Sequence, residues 1–225
     1  MTFSVTGRCA RTGMLGVAIT TSSIAVGARC PHVRAGVGAV ASQNVTNPAL
    51  GPGILARLAQ GAVAPGALSA AMATDVAPDY RQVAVVSHDG TVAIHSGPNS
   101  LGRHSHAVGD GVVAAGNLLA TEDLPHIMVD EFTETAEKHL ADRLLGALEA
   151  GLNAGGEEGH VHSAALLVAD VHPFPLVDLR VDWDEADPVG RLRALWHDYA
   201  PQMGDYVTRA VAPGSAPSYG VPGDD

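Results

Sequence analysis

The first third of the chain consists of short apolar runs, separated by polar turns, in the pattern that is typical of β-strands. Residues 3–9 and 14–20 are two such runs, and the segment between them, Ala10-Arg11-Thr12-Gly13, is polar and ends in glycine. Two strand-like runs joined by a short turn of this kind predict a β-hairpin. Residues 33–42 form a further apolar run, which glycines interrupt. We therefore predict that the N-terminal third is a set of strands.

Helical and strand-like segments follow in groups. Apolar residues recur at helical spacing in residues 53–60 and 65–74, and again from about 122 to 153. Asp89-Gly90 separates two apolar runs, and Asp-Gly is a strong hairpin signal. The other predicted elements are strands at residues 81–87, 91–96, 111–115, 163–169 and 176–181, and a helix at 188–197.

This order of elements predicts an α+β fold. The strands and helices come in groups, without the strict alternation that a doubly wound sheet requires, so two sheets packed face to face with helices outside fit better. No internal repeat or domain boundary is visible, and residues 1–211 are predicted to form a single domain. Residues 212–225 are rich in Pro, Gly and Ser, and we predict that they form a flexible tail.

Composition and charge exclude several classes of partner. Of the 225 residues, 46% are hydrophobic but only 4% are aromatic, so the core must be built from Ala, Val, Leu and Ile. The net charge of −11 argues against nucleic acid and against an anionic membrane surface, because both require clustered Lys and Arg. The two cysteines set no disulfide framework. No signal-peptide pattern is visible, and no apolar run approaches about 18 residues, so we expect a cytoplasmic protein.

Thr2 is the first candidate for chemistry. It follows Met1 directly and begins the first strand-like run. Methionine aminopeptidase removes Met1 when the second side chain is small, which would leave a threonine with both a hydroxyl and a free α-amine. A hydroxyl needs an adjacent base to become a good nucleophile, and an N-terminal amine has an unperturbed pKa of about 7.7–8.0. One residue can therefore supply nucleophile and base.

Several polar residues at strand ends are candidates to support Thr2. Ser22 and Ser23 end the second predicted strand, and the end of one hairpin strand lies beside the start of its partner. Asn117, after Gly116, stands where a strand meets a helical region and is a candidate to stabilise an oxyanion. Asn44 and His95 are candidates to position a ligand. For the serines and asparagines, ordinary capping or turn chemistry is the alternative interpretation, and for His95 it is a histidine at a sheet edge whose hydrogen bonds are satisfied.

A metal site is a further alternative. His104-Ser105-His106 and His160-Val161-His162 are both H-x-H, a spacing that places two histidines on one face of a strand. No carboxylate or cysteine motif accompanies either pair, so we expect no bound metal. The chain also lacks a G-x-S-x-G, a Walker loop, a G-x-G-x-x-G that opens a helix and a C-x-x-C. These absences argue against the usual serine hydrolases, P-loop enzymes and Rossmann oxidoreductases, and we expect no cofactor.

Taken together, seven segments are similar in sequence and order to the DUF1028 family. They are Thr2-Phe3-Ser4, residues 13–18, 25–27 and 34–43, Tyr80-Arg81-Gln82-Val83, residues 116–120 and residues 163–168. This family is placed among the N-terminal-nucleophile hydrolases. The resemblance implies a four-layer αββα sandwich, with Thr2 at the position of the nucleophile. Many relatives carry a lysine near the end of the second strand, where this chain has Ser22.

The sequence therefore leads to a main hypothesis and two alternatives. The main hypothesis is an amidohydrolase that cleaves a small amide or related C–N bond, with Thr2 as nucleophile and Asn117 at the oxyanion. Ser22, Ser23, Asn44 and His95 would position the amine and a small-molecule substrate. We also expect a homo-oligomer. The alternatives are a non-catalytic ligand-binding or scaffold protein that retains the fold, and a metal-dependent hydrolase that uses the H-x-H pairs.

Overall fold

The computed structural model describes residues 2–221, and these residues form a mixed α+β fold with two antiparallel sheets. The larger sheet has the strand order β10-β9-β2-β1-β8-β7 and the smaller one the order β3-β4-β5-β6. The strands are β1 (Thr2–Arg8), β2 (Leu15–Thr21), β3 (Pro31–Arg34), β4 (Gly38–Asn44), β5 (Arg81–Ser87), β6 (Val92–Ser96), β7 (Ser105–Gly109), β8 (Val112–Asn117), β9 (Ser163–Ala169) and β10 (Val177–Val181).

The predicted N-terminal hairpin is confirmed, and its first strand is central in the larger sheet. Strand β1 pairs with β2 on one side and with β8 on the other, both antiparallel. Gly7 and Gly16 lie directly opposite each other in this hairpin. A Cβ atom at either position would lie 2.7 Å from a side-chain carbon, of Phe132 or of Leu144. Glycine at these two positions therefore lets the helices pack directly on the hairpin.

Helices pack on both sheets through separate apolar clusters. The six α-helices described between residues 2 and 221 are α1 (Leu50–Ala59), α2 (Ala64–Met72), α3 (Leu124–Glu134), α4 (Leu140–Asn153), α5 (Pro188–Tyr199) and α6 (Met203–Val211). Side chains of α3, α4 and α5 form one buried cluster with the larger sheet, and those of α1 and α2 form another with the smaller sheet. A third cluster joins the two sheets directly, through residues such as Ile19 and Val113 from one and Ala41 and Val86 from the other.

The structure corrects four details of the predicted elements. The apolar run at residues 33–42 is a hairpin of β3 and β4, because Gly36 adopts a φ of +66° between them. The helical region from 122 to 153 is two helices, and His139 begins the second by accepting a hydrogen bond from the Ala141 N–H at 3.2 Å. Strand β7 and helix α6 were not predicted. Strand β7 is a half-exposed edge strand without a continuous apolar pattern, and α6 has no buried residue, although Met203 and Val207 pack against the cluster of the larger sheet.

The C-terminal segment is described only in part. Residues Pro213–Ser215 of the predicted tail form one 3₁₀ turn. The guanidinium of Arg209 lies 3.8 Å from the ring centroid of Tyr219. Residues 222–225 lie outside the described residues. None of the helices found in the described part of the chain is both long and apolar enough to span a membrane.

Candidate active site

Thr2 begins the central strand of the larger sheet, and its side chain faces the smaller sheet. The odd-numbered neighbours Phe3 and Val5 belong to the cluster formed with the helices, whereas Ser4 contacts Gln43 of the smaller sheet. Side chains alternate along a strand, so Thr2 and Ser4 share the inner face. Thr2 is 6% exposed, and its Oγ1 lies 3.0 Å from Oγ1 of Thr21. The predicted removal of Met1 concerns a residue that lies outside the described residues.

A buried network of amide side chains lies directly below Thr2. The Ser4 hydroxyl donates to Oε1 of Gln43 at 2.6 Å, and Nε2 of Gln43 donates to Oε1 of Gln82 at 2.8 Å. Nε2 of Gln82 in turn donates to the carbonyl of Gly116 at 3.1 Å and to the hydroxyl of Ser96 at 3.2 Å. Gln82 was not predicted as a site residue. This network joins β1, β4, β5 and β8, so it holds the two sheets in fixed register beneath the start of β1.

Asn117 ends strand β8 directly opposite Thr2. The two residues are partners in the β1–β8 register, so their side chains lie on the same face of the sheet. Asn117 is fully buried, and its Nδ2 donates to Oε1 of Gln82 at 3.2 Å. Its Oδ1 has no hydrogen-bond partner in the described part of the chain. An amide nitrogen carries two N–H groups, so Asn117 retains a donor that can face the start of β1.

Glu157 lies at the same end of β1 and was not predicted as a site residue. It pairs with Leu119 in a single antiparallel bridge, and the adjacent N–H of Glu158 donates to the carbonyl of Leu118 at 2.9 Å. This places Glu157 beside the chain that continues from Asn117. Glu157 is 5% exposed, and neither carboxylate oxygen has a hydrogen-bond partner among residues 2–221. Its sequence context, Glu157-Glu158-Gly159, is that of an ordinary loop.

Burial raises the pKa of the Glu157 carboxyl to about 8, because loss of solvation disfavours the charged form. The positive charge of the chain's N-terminus lowers this pKa. The backbone N–H of Ser22 also lowers it, although its position falls short of hydrogen-bond geometry. Ser22 directly follows β2, whose end lies beside Thr2. The carboxyl is therefore electrostatically linked to the place where Thr2 lies.

The structure places Ser22 and Ser23 next to this site, but with their backbones engaged in other contacts. The Ser22 carbonyl accepts a hydrogen bond from Nδ1 of His162 at 3.1 Å, and the Ser23 carbonyl accepts one from the Ser163 hydroxyl at 2.6 Å. His162 also stacks on Trp183, with ring centroids 4.4 Å apart. The H-x-H spacing made His162 a candidate metal ligand, but its observed contact is with the turn that follows β2.

Asn44 and His95 are occupied elsewhere. The side chain of Asn44 donates from Nδ2 to the carbonyl of Tyr80 at 2.7 Å and accepts from the N–H of Leu101 at 3.2 Å. It therefore joins two loops. In His95, Nε2 donates to the carbonyl of Pro78 at 2.9 Å. Its ring lines a cavity beside α2, on the face of the smaller sheet that points away from β1. The structure does not bring His95 together with Thr2.

The two H-x-H pairs do not share a location. His106 lies in β7, and His160 and His162 precede β9. Strands β8, β1 and β2 separate β7 from β9, so four strand spacings of about 4.8 Å give a separation on the order of 19 Å. In the part of the chain that the structure describes, no group of three or more His, Cys, Asp or Glu side chains is arranged to hold a metal ion.

Comparison with known proteins identifies the family. The crystal structure of protein SPO2555 from Silicibacter pomeroyi, a DUF1028 protein, matches with a TM-score of 0.84 and 28% sequence identity, over 91% of this chain and 89% of that one. Anbu (ancestral beta-subunit) from Yersinia bercovieri matches with a TM-score of 0.41 and 10% identity, over 90% of this chain and 96% of that one. No curated protein matches. The model of DUF1028, a family of unknown function, matches residues 2–192, and the chain therefore belongs to the DUF1028 family.

Proposed function

We propose that this protein is an N-terminal-nucleophile amidohydrolase with a four-layer αββα sandwich, and that Thr2 is its nucleophile once Met1 has been removed. The observation that carries the proposal is the placement of Thr2. It begins the central strand, faces the interface between the sheets and lies directly opposite Asn117. A hydroxyl, an amide donor and a buried carboxyl thus converge on one strand end.

The proposed reaction uses the α-amine of Thr2 as the base. The amine takes the proton from Oγ1, directly or through a water molecule, while Oγ1 forms a bond to the carbonyl carbon of a small amide. The carbonyl electron pair moves to oxygen, and Nδ2 of Asn117 donates to the resulting oxyanion. The C–N bond then breaks as the ammonium returns its proton to the leaving nitrogen. Water hydrolyses the ester that remains and regenerates Thr2.

The buried network explains why the site would be rigid. Gln82 accepts hydrogen bonds from both Gln43 and Asn117. The amide of Asn117 is therefore fixed by a side chain that a second hydrogen bond also fixes. A donor that is fixed before the reaction needs no reorganisation when charge develops on the substrate oxygen. The network therefore favours a catalytic arrangement over a loosely organised binding surface.

The proposal is tested with p-nitrophenyl acetate, a small activated ester that reports on an activated hydroxyl. Intact mass should show that Met1 is absent, and peptide mapping should place the acetyl group on Thr2. Thr2→Ala should keep its fold and lose this acetylation, whereas Thr2→Ser should retain part of it because the hydroxyl and amine survive. Thr6→Ala is the matched control, because Thr6 lies buried on the same face of β1.

Two results would overturn the proposal. One is an active preparation in which Met1 is retained, since the amine of Thr2 would then be an amide and could not act as a base. The other is acetylation of Thr2→Ala at the parent rate and at the same peptide. Either result would favour the non-catalytic ligand-binding or scaffold protein.

A further inference from the structure

Glu157 lies where the α-amine of a processed Thr2 would emerge from the sheet. Thr2 pairs with Thr21 on one side and with Asn117 on the other. One residue further along, β2 continues to Ser22 and β8 continues to Leu118. The Glu157 carboxyl is influenced by the N–H of Ser22, and its backbone is tied to the segment that follows Asn117. It therefore borders the end of β1 from both neighbouring strands.

The segment that carries Glu157 is firmly held. The N–H of Ala120 donates to the carbonyl of Gly156 at 3.0 Å, and the N–H of Glu158 donates to the carbonyl of Leu118 at 2.9 Å. These bonds flank the pairing of Glu157 with Leu119. The position of the Glu157 side chain is consequently defined by backbone hydrogen bonds on both sides, as expected of a residue that orients another group.

A buried carboxyl without hydrogen-bond partners is costly, and an amine is the group that satisfies it best. Both oxygens of Glu157 are buried and unpartnered among the described residues. Leaving a buried polar group unsatisfied is unfavourable, and leaving a charged one unsatisfied is more so. An α-amine offers up to three N–H donors and can carry the charge opposite to that of a carboxylate.

We propose that Glu157 is a positioning residue that binds the α-amine of Thr2 and keeps its lone pair directed at Oγ1. This inference rests on the proposed function, because the amine exists only after Met1 is removed. Before the attack the pair is amine with carboxylate. It takes the proton from Oγ1 and becomes ammonium with carboxylate, or amine with carboxylic acid, and no other reactant is needed. The pair thus stores the proton taken from Oγ1 until the leaving nitrogen accepts it.

The carboxyl and the amine of this pair have similar pKa values, and both values lie close to neutral pH. Burial raises the pKa of Glu157 to about 8, and an N-terminal amine has an unperturbed value of about 7.7–8.0. Two interacting groups with such similar values titrate as a pair. Glu157 lines a cavity of about 440 Å³ together with Glu158, His160 and Asp187, and Arg103 contacts Glu158 at 3.5 Å.

The test compares Glu157→Gln with Glu158→Gln, a matched control on the adjacent, half-exposed residue. The rate of Thr2 acetylation by p-nitrophenyl acetate is measured from pH 5 to pH 10. We expect Glu157→Gln to move the acid limb of the pH–rate profile to lower pH by about one unit, because a carboxylate no longer stabilises the ammonium form of the amine. The plateau should fall about tenfold through lost positioning. Glu158→Gln should retain the parent profile. Glu157→Asp should restore the position of the limb in part.

A parent-like profile for Glu157→Gln, with Thr2 still acetylated, would overturn this inference and leave the proposed function intact. Loss of acetylation from the parent protein itself would instead contradict the proposed function. If Glu157→Gln does not fold, the parent is titrated directly by ¹³C NMR after reductive methylation. Its α-amine and Lys138 are then the only labelled amines, because the chain has one lysine. A two-step titration of the α-amine supports the pairing, and a single step near the unperturbed value refutes it.

Discussion

Strands β1 and β2 are neighbours in one sheet, yet they present opposite kinds of side chain to the second sheet. The inner face of β2 carries Leu15, Val17 and Ile19, all fully buried in the apolar cluster between the sheets. The inner face of β1 carries Thr2, Ser4 and Thr6, which are equally buried. The two rows face the same interface, because Ser4 is the partner of Ile19 and Thr6 that of Val17.

The two strands therefore stabilise the fold in different ways. Burying apolar side chains stabilises a fold without any directional requirement. Burying hydroxyls and amides is unfavourable unless each finds a partner, so β1 depends on Gln43 and Gln82 across the interface. In the proposed function, this row of hydroxyls leads to the nucleophile at the end of β1. Three substitutions test this contrast.

The largest effect is expected at Asn117, at the end of the polar row. Asn117→Ala removes the amide that faces the start of β1, and loss of one oxyanion donor typically costs on the order of 10²–10³ in turnover. We expect kcat to fall with little change in KM, since the interaction strengthens mainly in the transition state. The measurement needs a confirmed substrate and a melting curve of the same sample. A loss of stability with kcat within a few-fold of the parent would show that Asn117 serves only the structure.

A smaller effect, on stability rather than on turnover, is expected at Ile19 in the apolar row. Ile19→Val removes one buried methylene and should lower the free energy of unfolding by about 1 kcal/mol. The kcat of the folded protein should not change, because Ile19 lies in the apolar cluster between the sheets and its hydrocarbon side chain makes no hydrogen bond to the polar network. Urea denaturation gives the first quantity and active-site-normalised kinetics the second. A kcat change larger than a few-fold would contradict the division between the two strands.

The smallest effect is expected at Thr6. Its Oγ1 is buried and has no hydrogen-bond partner among the described residues. Thr6→Val replaces that hydroxyl with a methyl group of similar shape, so we expect the free energy of unfolding to stay unchanged or to rise by up to about 1 kcal/mol. Urea denaturation of this variant, with Ser4→Ala for comparison, checks the result. Ser4→Ala should be destabilising, because it leaves Oε1 of Gln43 without its donor.

Much of the local structure could be predicted, and the reasons are local. The turn that ends in Gly13 predicted the β1–β2 hairpin, and the antiparallel rule then placed the end of β2 beside Thr2. The Asp89-Gly90 signal likewise predicted the hairpin of β5 and β6. The split between α3 and α4 was missed because residues 135–139 contain neither proline nor glycine. Strand β7 was missed because an edge strand has no continuous apolar pattern.

The candidate site was only partly predictable from the sequence. Thr2 was identified from its place in the chain, and Asn117 from the junction of a strand with a helical region. Glu157 gave no signal, because an isolated Glu in a loop has no motif. Gln82 belongs to the family-like segment Tyr80-Arg81-Gln82-Val83, but nothing in that segment indicated a site. His95 was proposed for the site because it ends a strand, but its ring lies on the opposite face of the smaller sheet.

By itself the sequence determined most of the segments that become strands and helices, since apolar periodicity and turn residues act over a few positions. It also determined the family, through the order of its motifs. Only the tertiary structure decided that Glu157, which is 155 positions from Thr2 in the chain, borders the end of β1. The same holds for the amide network across the two sheets. Contacts between distant segments depend on how whole layers pack, and that packing is set by the sum of many weak apolar contacts rather than by any short pattern.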